Sequence, residues 1–231
     1  MNIYLLIGFT IFCFLMLTLL RKRKDVPVLM AISIGAACNA NLWTSSNMPL
    51  EKWGMIFDVG SVLYILCVFT IFLRVKDYSI KDGKSMALTS ITAIMISAFF
   101  EVFARAIYEN QFTLEHLYIF SGYAFSSLGT FVGVWLMIDF YKKLEKLKVN
   151  PYIEILICIT TCAFVNTLFS YGGVALVRWM RIDNFLKIML GTTIIKFFAI
   201  GLSMLSYLVN HTVWLPDYVK QQLEPKNEEN N

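Results

Sequence analysis

The sequence predicts an all-α integral membrane protein with about seven transmembrane helices. Of its 231 residues, 58% are hydrophobic and only 16% are charged, and the mean hydropathy is +0.63. A soluble domain has about 45–50% apolar and about 25% charged residues. Charges are scarce in several windows of about 18–25 residues, the length that crosses a hydrocarbon core of about 30 Å. Because an isolated strand cannot satisfy its backbone in lipid, each window is expected to be a helix.

The apolar windows divide the chain into seven predicted spans. They are residues 3–20, 26–43, 54–73, 87–108, 117–141, 152–177 and 185–209. The first is followed by the basic run RKRK and not by a small-residue cleavage site, so a retained helix is expected instead of a signal peptide. Residues 1–215 are predicted to form a single transmembrane domain, and the polar residues 216–231 a disordered cytoplasmic tail.

The connections between spans are expected to be polar loops, among them residues 74–85. Before the sixth span, Asn150 is a candidate N-cap and Pro151 suits the first helical position. Glu154 then falls in the first turn, where the helix dipole favours an acid.

The basic residues predict the orientation in the membrane. Fourteen Lys and Arg lie in the odd-numbered connections and the C-terminal tail, whereas four lie on the other side: Lys52, Arg178, Arg181 and Lys187. Cytoplasmic loops carry the excess of basic residues. We therefore expect a cytoplasmic (cell inner) membrane, with the N-terminus outside and the C-terminus in the cytoplasm. In this class of protein the net charge of +4 gives no reason to expect a nucleic-acid partner.

Few residues suggest catalysis or a cofactor. The five cysteines all lie in apolar windows and are expected to be unpaired, and the two histidines are far apart, so no metal ligand set is predicted. The sequence has no P-loop and no arrangement of Ser, His and Asp that would indicate a nucleophile. We therefore expect neither an enzyme nor a bound cofactor.

Lys196 is the residue that most needs an explanation. It is the only charged residue between Ile188 and Val209, and a charge at the bilayer centre costs about 2.5–3.5 kcal/mol on insertion scales. About 13 residues separate it from the end of the span, roughly 20 Å of helix, which exceeds the reach of a lysine stem. Snorkelling to the interface is therefore disfavoured, and a polar cavity or a functional role is expected.

Other charges near or within the spans have simpler interpretations. Glu101 and Arg105 are four residues apart, so they can form an ion pair on one face of the fourth helix. Asp58 and Asp139 lie near the ends of spans, where solvated positions are expected.

Several uncharged polar side chains could line a cavity with Lys196. The candidates are Asn39, Asn41, Ser61, Asn166 and Thr167. An amide offers both a donor and an acceptor, which suits a heterocyclic solute. In the sixth span, Gly172 and Gly173 predict either a kinked or broken helix or close helix packing.

A lysine in the seventh helix also raises the possibility of a retinal-binding protein. Proteins of that class resemble each other in a carboxylate one helical turn before the lysine. This chain has Thr192 at that position. The third span has no acid in its central part, between Asp58 and Arg74. A protonated Schiff base without a counter-ion would be costly in lipid, so this alternative is disfavoured.

A second resemblance covers most of the chain. The basic turn after the first helix, the order of short motifs and the spacing to the last lysine resemble the VUT family of vitamin-uptake-like and queuosine precursor transporters. The matching segments are Ala40-Asn41-Leu42, Val59-Gly60-Ser61-Val62-Leu63-Tyr64, DFYKKLEKLK, Asn166-Thr167-Leu168-Phe169 and Gly191-Thr192-Thr193-Ile194-Ile195-Lys196. The chain departs from the family in its acids: Asn166 occupies an aspartate position, and the third span has no acid near residues 70–72.

The resemblance implies a six-helix transporter core plus an N-terminal helix. It implies a carrier that imports a small flat solute, a queuosine precursor of the 7-deazaguanine type, by alternating access at a midplane site. We expect Asn41, Ser61, Asn166 and Lys196 to bind this solute, with the amides reading its edges and Lys196 bonding a carbonyl or balancing Glu101. The missing acids leave open a membrane sensor, or a subunit that requires a partner.

Overall fold

The computed structural model describes residues 3–21, 26–45, 50–52, 54–58, 60–178 and 182–209, and the side chains of residues 4–19, 29–40, 54–58, 60–177 and 183–209. The described chain forms seven helices and one two-stranded antiparallel hairpin. These are α1 (Ile3–Arg21), α2 (Val26–Ser45), β1 (Leu50–Lys52), β2 (Met55–Phe57), α3 (Gly60–Asp77), α4 (Ile80–Tyr108), α5 (Leu114–Lys146), α6 (Pro151–Arg178) and α7 (Ile182–Val209). The all-α prediction is confirmed, while the predicted tail lies outside the described residues.

The chain is an integral membrane protein. Helices α4, α5, α6 and α7 are each long and apolar enough to cross a membrane, and α1 and α2 contain the shorter apolar segments Tyr4–Leu19 and Leu29–Ala40. Large apolar side chains are exposed on the outside of the bundle, among them Phe12, Phe100 and Phe164. Lipid is the surrounding that suits such a surface.

Helix α3 is the centre of the bundle. It contacts all six other helices, and every residue from Gly60 to Leu73 is buried. A helix that is apolar on all sides must be covered by other helices or by lipid, and neighbouring helices cover α3. Aromatic side chains of α3 pack against neighbouring helices. The ring centroids of Phe69 and Phe14 are 6.2 Å apart, and those of Phe72 and Tyr141 are 5.9 Å apart.

The predicted start of the third span, at residue 54, is wrong. The hairpin occupies its first residues, with Leu50 opposite Phe57 and Glu51 opposite Ile56. Gly54 at the turn has φ +70°, a backbone conformation that favours glycine. Helix α3 begins later because Asp58 caps it: one carboxylate oxygen accepts from the backbone N–H of Gly60 at 2.9 Å.

The predicted loop over residues 74–85 is also wrong. Helix α3 continues to Asp77 and α4 begins at Ile80, so two residues connect them. Ser79 caps α4, since its Oγ accepts from the backbone N–H of Asp82 at 3.1 Å. Lys76 lies in the last turn of α3, where the helix dipole favours a cation. The loop was predicted from its charged residues alone, and for this reason the end of α3 and the start of α4 were misplaced.

The predicted start of α6 is confirmed. Pro151 is the first helical residue, and the Asn150 Oδ1 accepts from the backbone N–H of Tyr152 at 2.9 Å. Glu154 lies in the first turn as expected. It is buried, however, and forms an ion pair with Lys76 of α3.

Helices α5 and α6 approach closely because small residues line their contact. A Cβ at Gly129 would lie 2.8 Å from the Phe169 Cβ, and one at Gly133 would lie 3.0 Å from the Cys162 carbonyl oxygen. Gly173 packs in the same way, because a Cβ there would lie 2.3 Å from the Phe125 ring. Helix α6 is continuous through this glycine, so close packing, and not a broken helix, explains it.

The hairpin lies against α7 at Gly191. A Cβ at this position would be 2.2 Å from the backbone oxygen of Ile56, closer than any non-bonded contact allows. Phe57 of the hairpin is buried with Leu6, Val62 and Ile195. The hairpin is therefore held on the bundle by a contact that only glycine permits.

Gly191→Ala should destabilise the protein by about 1–3 kcal/mol, because the added methyl group displaces β2 from α7. The matched control is Gly201→Ala on the same helix, where nothing lies within 4 Å of the added Cβ. Alanine favours a helix by about 1 kcal/mol over glycine, so the control should be neutral or stabilising. Reversible unfolding in mixed detergent micelles measures both, and equal effects would contradict the hairpin contact.

Candidate functional site

The Lys196 ammonium is enclosed at the middle of α7. The residue is 4% exposed, and its Nζ donates to the Thr167 Oγ1 at 2.7 Å, the Asn166 Oδ1 at 3.2 Å and the Ala163 carbonyl at 3.5 Å. An ammonium has three N–H donors, and here each has an oxygen of α6 to bind. The side chain turns into the bundle and does not reach for the interface.

The three acceptors share one face of α6. Ala163, Asn166 and Thr167 are three and four residues apart, the spacing that places side chains together on a helix. Thr167 donates its own hydroxyl proton to the Ala163 carbonyl at 2.7 Å, which leaves an oxygen lone pair to accept from Lys196. The local helical geometry therefore orients this hydroxyl as an acceptor.

Helix α3 closes the site with an aromatic ring. The Lys196 Nζ lies 4.7 Å from the centre of the Tyr64 ring, within the range of a cation–π interaction. The Tyr64 hydroxyl lies 3.3 Å from the Cys162 Sγ, which anchors the ring against α6. The cation is thus held by oxygens on one side and a π face on another.

Asn166 extends the network to α5. Its Nδ2 donates to the Ser126 carbonyl at 3.1 Å and to the Thr130 Oγ1 at 3.3 Å, while its Oδ1 faces the cation. Gly129 makes this possible, because a Cβ there would lie 3.0 Å from the Asn166 Cα. The network of Tyr64, Thr130, Asn166, Thr167 and Lys196, called the lysine network below, joins four helices.

Asp58 is a functional candidate that the sequence analysis misplaced. It was expected to be solvated, but it is partly buried and accepts from the Tyr171 hydroxyl at 2.6 Å and the Ser61 Oγ at 2.8 Å. The hydrogen bonds of Lys196, in contrast, go to neutral oxygens. The spacing of Asp58 before Gly60 and Ser61 is an N-cap signal that could have predicted its contacts with the start of α3.

The predicted site residues separate into two groups. Asn166 and Lys196 are in direct contact, whereas Ser61 donates to Asp58. The side chain of Asn41 lies outside the described residues. Asn39 is exposed and donates to the Gly35 carbonyl of its own helix at 2.8 Å.

The charges of α4 form a cluster of their own. The Arg105 Nη2 lies 2.8 Å from the Glu101 Oε1, and the Tyr123 hydroxyl of α5 donates to the other oxygen of Glu101. These partners of Glu101 lie on α4 and α5, while the hydrogen bonds of Lys196 go to α6, so balancing of Lys196 by Glu101 stays a prediction. Asp139, near the end of its predicted span, is 65% exposed, in line with the expected solvated position.

A buried ion pair lies at the opposite end of α3 from Asp58. The Lys76 side chain is 17% exposed and that of Glu154 is 5% exposed. The Lys76 Nζ also lies 5.7 Å from the Tyr141 ring centre and 5.8 Å from that of Tyr207. This cluster joins α3 to α6 with α5 and α7 beside it.

The lysine network combines a cationic donor with an amide that both donates and accepts. An ammonium and an amide can exchange their protein partners for the carbonyl and N–H groups of a small polar molecule. Among the described residues, no group of three or more His, Cys, Asp and Glu side chains could hold a metal ion. Comparisons with protein-family models, curated proteins and solved structures find no match for this chain.

Thr167→Val should cost about 1–3 kcal/mol of stability, because the isosteric change removes an acceptor from a buried ammonium. Thr161→Val is the matched control on α6, since that hydroxyl donates only to the Ile157 carbonyl of its own helix. Unfolding in mixed micelles should show a clear loss for the first variant and a small one for the second. Similar losses would mean that the Lys196 contact contributes nothing to stability.

Proposed function

We propose that the chain is a membrane carrier that imports a small flat solute through the lysine network. The observation that carries the proposal is a cation buried at the middle of a transmembrane helix with neutral oxygens as its hydrogen-bond partners. Ionisable residues at this depth are costly and mark substrate paths. The resemblance to the VUT family supplies the solute class, a queuosine precursor of the 7-deazaguanine type.

The residues of the network suit the lactam edge of such a solute. A ring carbonyl would replace one of the α6 oxygens at the Lys196 ammonium, and the Asn166 amide would pair with an adjacent N–H or ring nitrogen. Asn41 and Ser61 complete the proposed binding set. The chain itself would use no ATP and perform no chemistry on the solute.

Contacts between the α3 region and α6 at both ends support alternating access. At one end Lys76 pairs with Glu154, and at the other Asp58 accepts from Tyr171. Glu154 and Tyr171 are 17 residues apart on α6, about 25 Å of helix, with Asn166 between them. Opening one end while the other stays closed would give the network access to one side of the membrane at a time.

The excess of basic residues predicts which side of the membrane each of these two contacts faces. The short connection between α3 and α4 and the loop before α6 would be cytoplasmic, so the Lys76–Glu154 pair would close the inner end. The protein would lie in the cytoplasmic membrane with its N-terminus outside.

A non-transporting role is the competing proposal, and one observation favours it. The three N–H groups of Lys196 already have protein acceptors, as in a cross-link that serves stability alone. A sensor, or a subunit that requires a partner, would keep such a network permanently closed.

Lys196→Met should abolish uptake of radiolabelled 7-deazaguanine precursors into cells that cannot make them, while leaving membrane insertion intact. The reason is that methionine keeps most of the length of the side chain but donates no hydrogen bond. Lys187→Met is the matched control, because Lys187 lies on the same helix with an exposed side chain. Unchanged uptake in the Lys196 variant would make the lysine structural, and no uptake of any deazapurine, purine or small vitamin by the native protein would refute the carrier.

Glu154→Gln should weaken the inner closure, because the amide loses the charge that holds Lys76. Cys158, which is fully buried one turn along α6, should then react several-fold faster with a membrane-impermeant maleimide in inside-out vesicles. Glu145→Gln is the control, since Glu145 is exposed and bonds to Tyr141 within α5. Equal labelling of Cys158 in all three proteins would count against a gate at this end.

A further inference from the structure

Helix α3 is shorter than the helices around it. It has 18 residues, whereas α4, α5, α6 and α7 have between 28 and 33. At about 1.5 Å per residue, α3 is about 27 Å long and α7 about 42 Å. Two residues join α3 to α4 at their inner ends, so the shortfall of roughly 15 Å lies at the outer end of α3.

Strand β2 occupies the space beyond the outer end of α3. The backbone oxygen of Ile56 faces Gly191, which is nine residues, about 13 Å, inside the start of α7. Asp58, directly after the strand, accepts from Tyr171, seven residues, about 10 Å, before the end of α6. Non-helical backbone at such a depth is tolerated only where protein buries it or where it lines a water-filled cavity.

Strand β2 covers one turn of α7 at the level of the lysine network. Gly191 and Ile195 are four residues apart, on one face of the helix. The first lies under the Ile56 backbone, and the second is buried in a cluster with Phe57. Ile195 directly precedes Lys196, so the strand lies between the outer end of α7 and the level of the ammonium.

The contacts of β2 with α7 suit an element that moves. At Gly191 the helix has no side chain to interlock with the strand, and at Ile195 the contact is apolar packing with Phe57. The strand pairing of β2 is made with β1. The hairpin can therefore separate from α7 without breaking its own pairing.

We infer that β2 is the outer gate of the lysine network. While the strand lies against Gly191, it closes the network toward the outer side. When the hairpin moves away from α7 and takes Phe57 out of its cluster, a path opens along α7 to Lys196. The inference rests on the proposed carrier function and names the element that opens its outer end.

Thiol labelling measures this opening without any solute. Ile195→Cys places a reporter under Phe57, and the buried Cys158 is a native reporter near the inner end of α6. The purified full-length protein in lipid nanodiscs is treated with a membrane-impermeant maleimide, and mass spectrometry gives the labelling rate at each cysteine. Val62→Cys, in the same buried cluster, replaces the first reporter if that variant does not fold.

Adding Gly191→Ala to the reporter protein should raise the labelling rate at position 195 roughly tenfold, because the methyl group displaces β2 from α7. The rate at Cys158 should stay the same, and Gly201→Ala, where the added Cβ meets nothing within 4 Å, should change neither rate. An equal rise at both reporters would indicate general loosening of the bundle, and no rise at position 195 would show that β2 does not cover it. Either result overturns the inference.

Glu154→Gln distinguishes a gate from a fixed wall. If the two ends open alternately, a weaker inner closure shortens the time for which the outer end is open. Labelling at position 195 should then fall several-fold while labelling at Cys158 rises. An unchanged rate at position 195 with a rise at Cys158 would overturn the inference and leave the inner gate and the carrier in place. A rise at both positions, or no change at either, would count against alternating access and the inference together.

Discussion

The structure depends most on the need to surround the Lys196 ammonium with oxygen atoms inside a membrane. The hydrocarbon core of a bilayer offers a buried ammonium no acceptors, so they come from neighbouring helices. Three of them lie on one face of α6, which sets the rotation of α6 against α7. Asn166 also donates to the Ser126 carbonyl and to Thr130, and these hydrogen bonds constrain the position of α5 against α6.

Close packing makes this network possible. Glycines at 129 and 133 bring α5 within reach of Asn166 and Cys162, and the enclosed α3 presents the Tyr64 ring to the ammonium. The polar groups at the ends of α3 extend the pattern, with Asp58 at the start of the helix and Lys76 in its last turn, both meeting α6. Helices α3 and α6 therefore share the central polar site with α7 and also meet near each end of α3.

Particular residues show how far sequence reasoning reaches. The cap at Asn150–Pro151 was predictable because capping depends on residues a few positions apart. The depth of Lys196 was predictable from its distance to the helix end. The hairpin over residues 50–57 was hidden because its apolar strand β2 continues into the apolar sequence of α3, and Asp58 was assigned to solvent because its partner Tyr171 lies 113 residues away.

The sequence by itself determined that the chain forms apolar helices in a membrane, since backbone satisfaction in lipid follows from local hydropathy. It also determined that Lys196 lies too far from the end of its helix to snorkel to the interface, which is a matter of helix length. Only the tertiary structure decided which groups meet: Lys196 with Asn166 and Thr167, Glu154 with Lys76, and Asp58 with Tyr171. These pairings depend on how each helix is rotated and how closely its neighbours approach, and packing among all seven helices sets both.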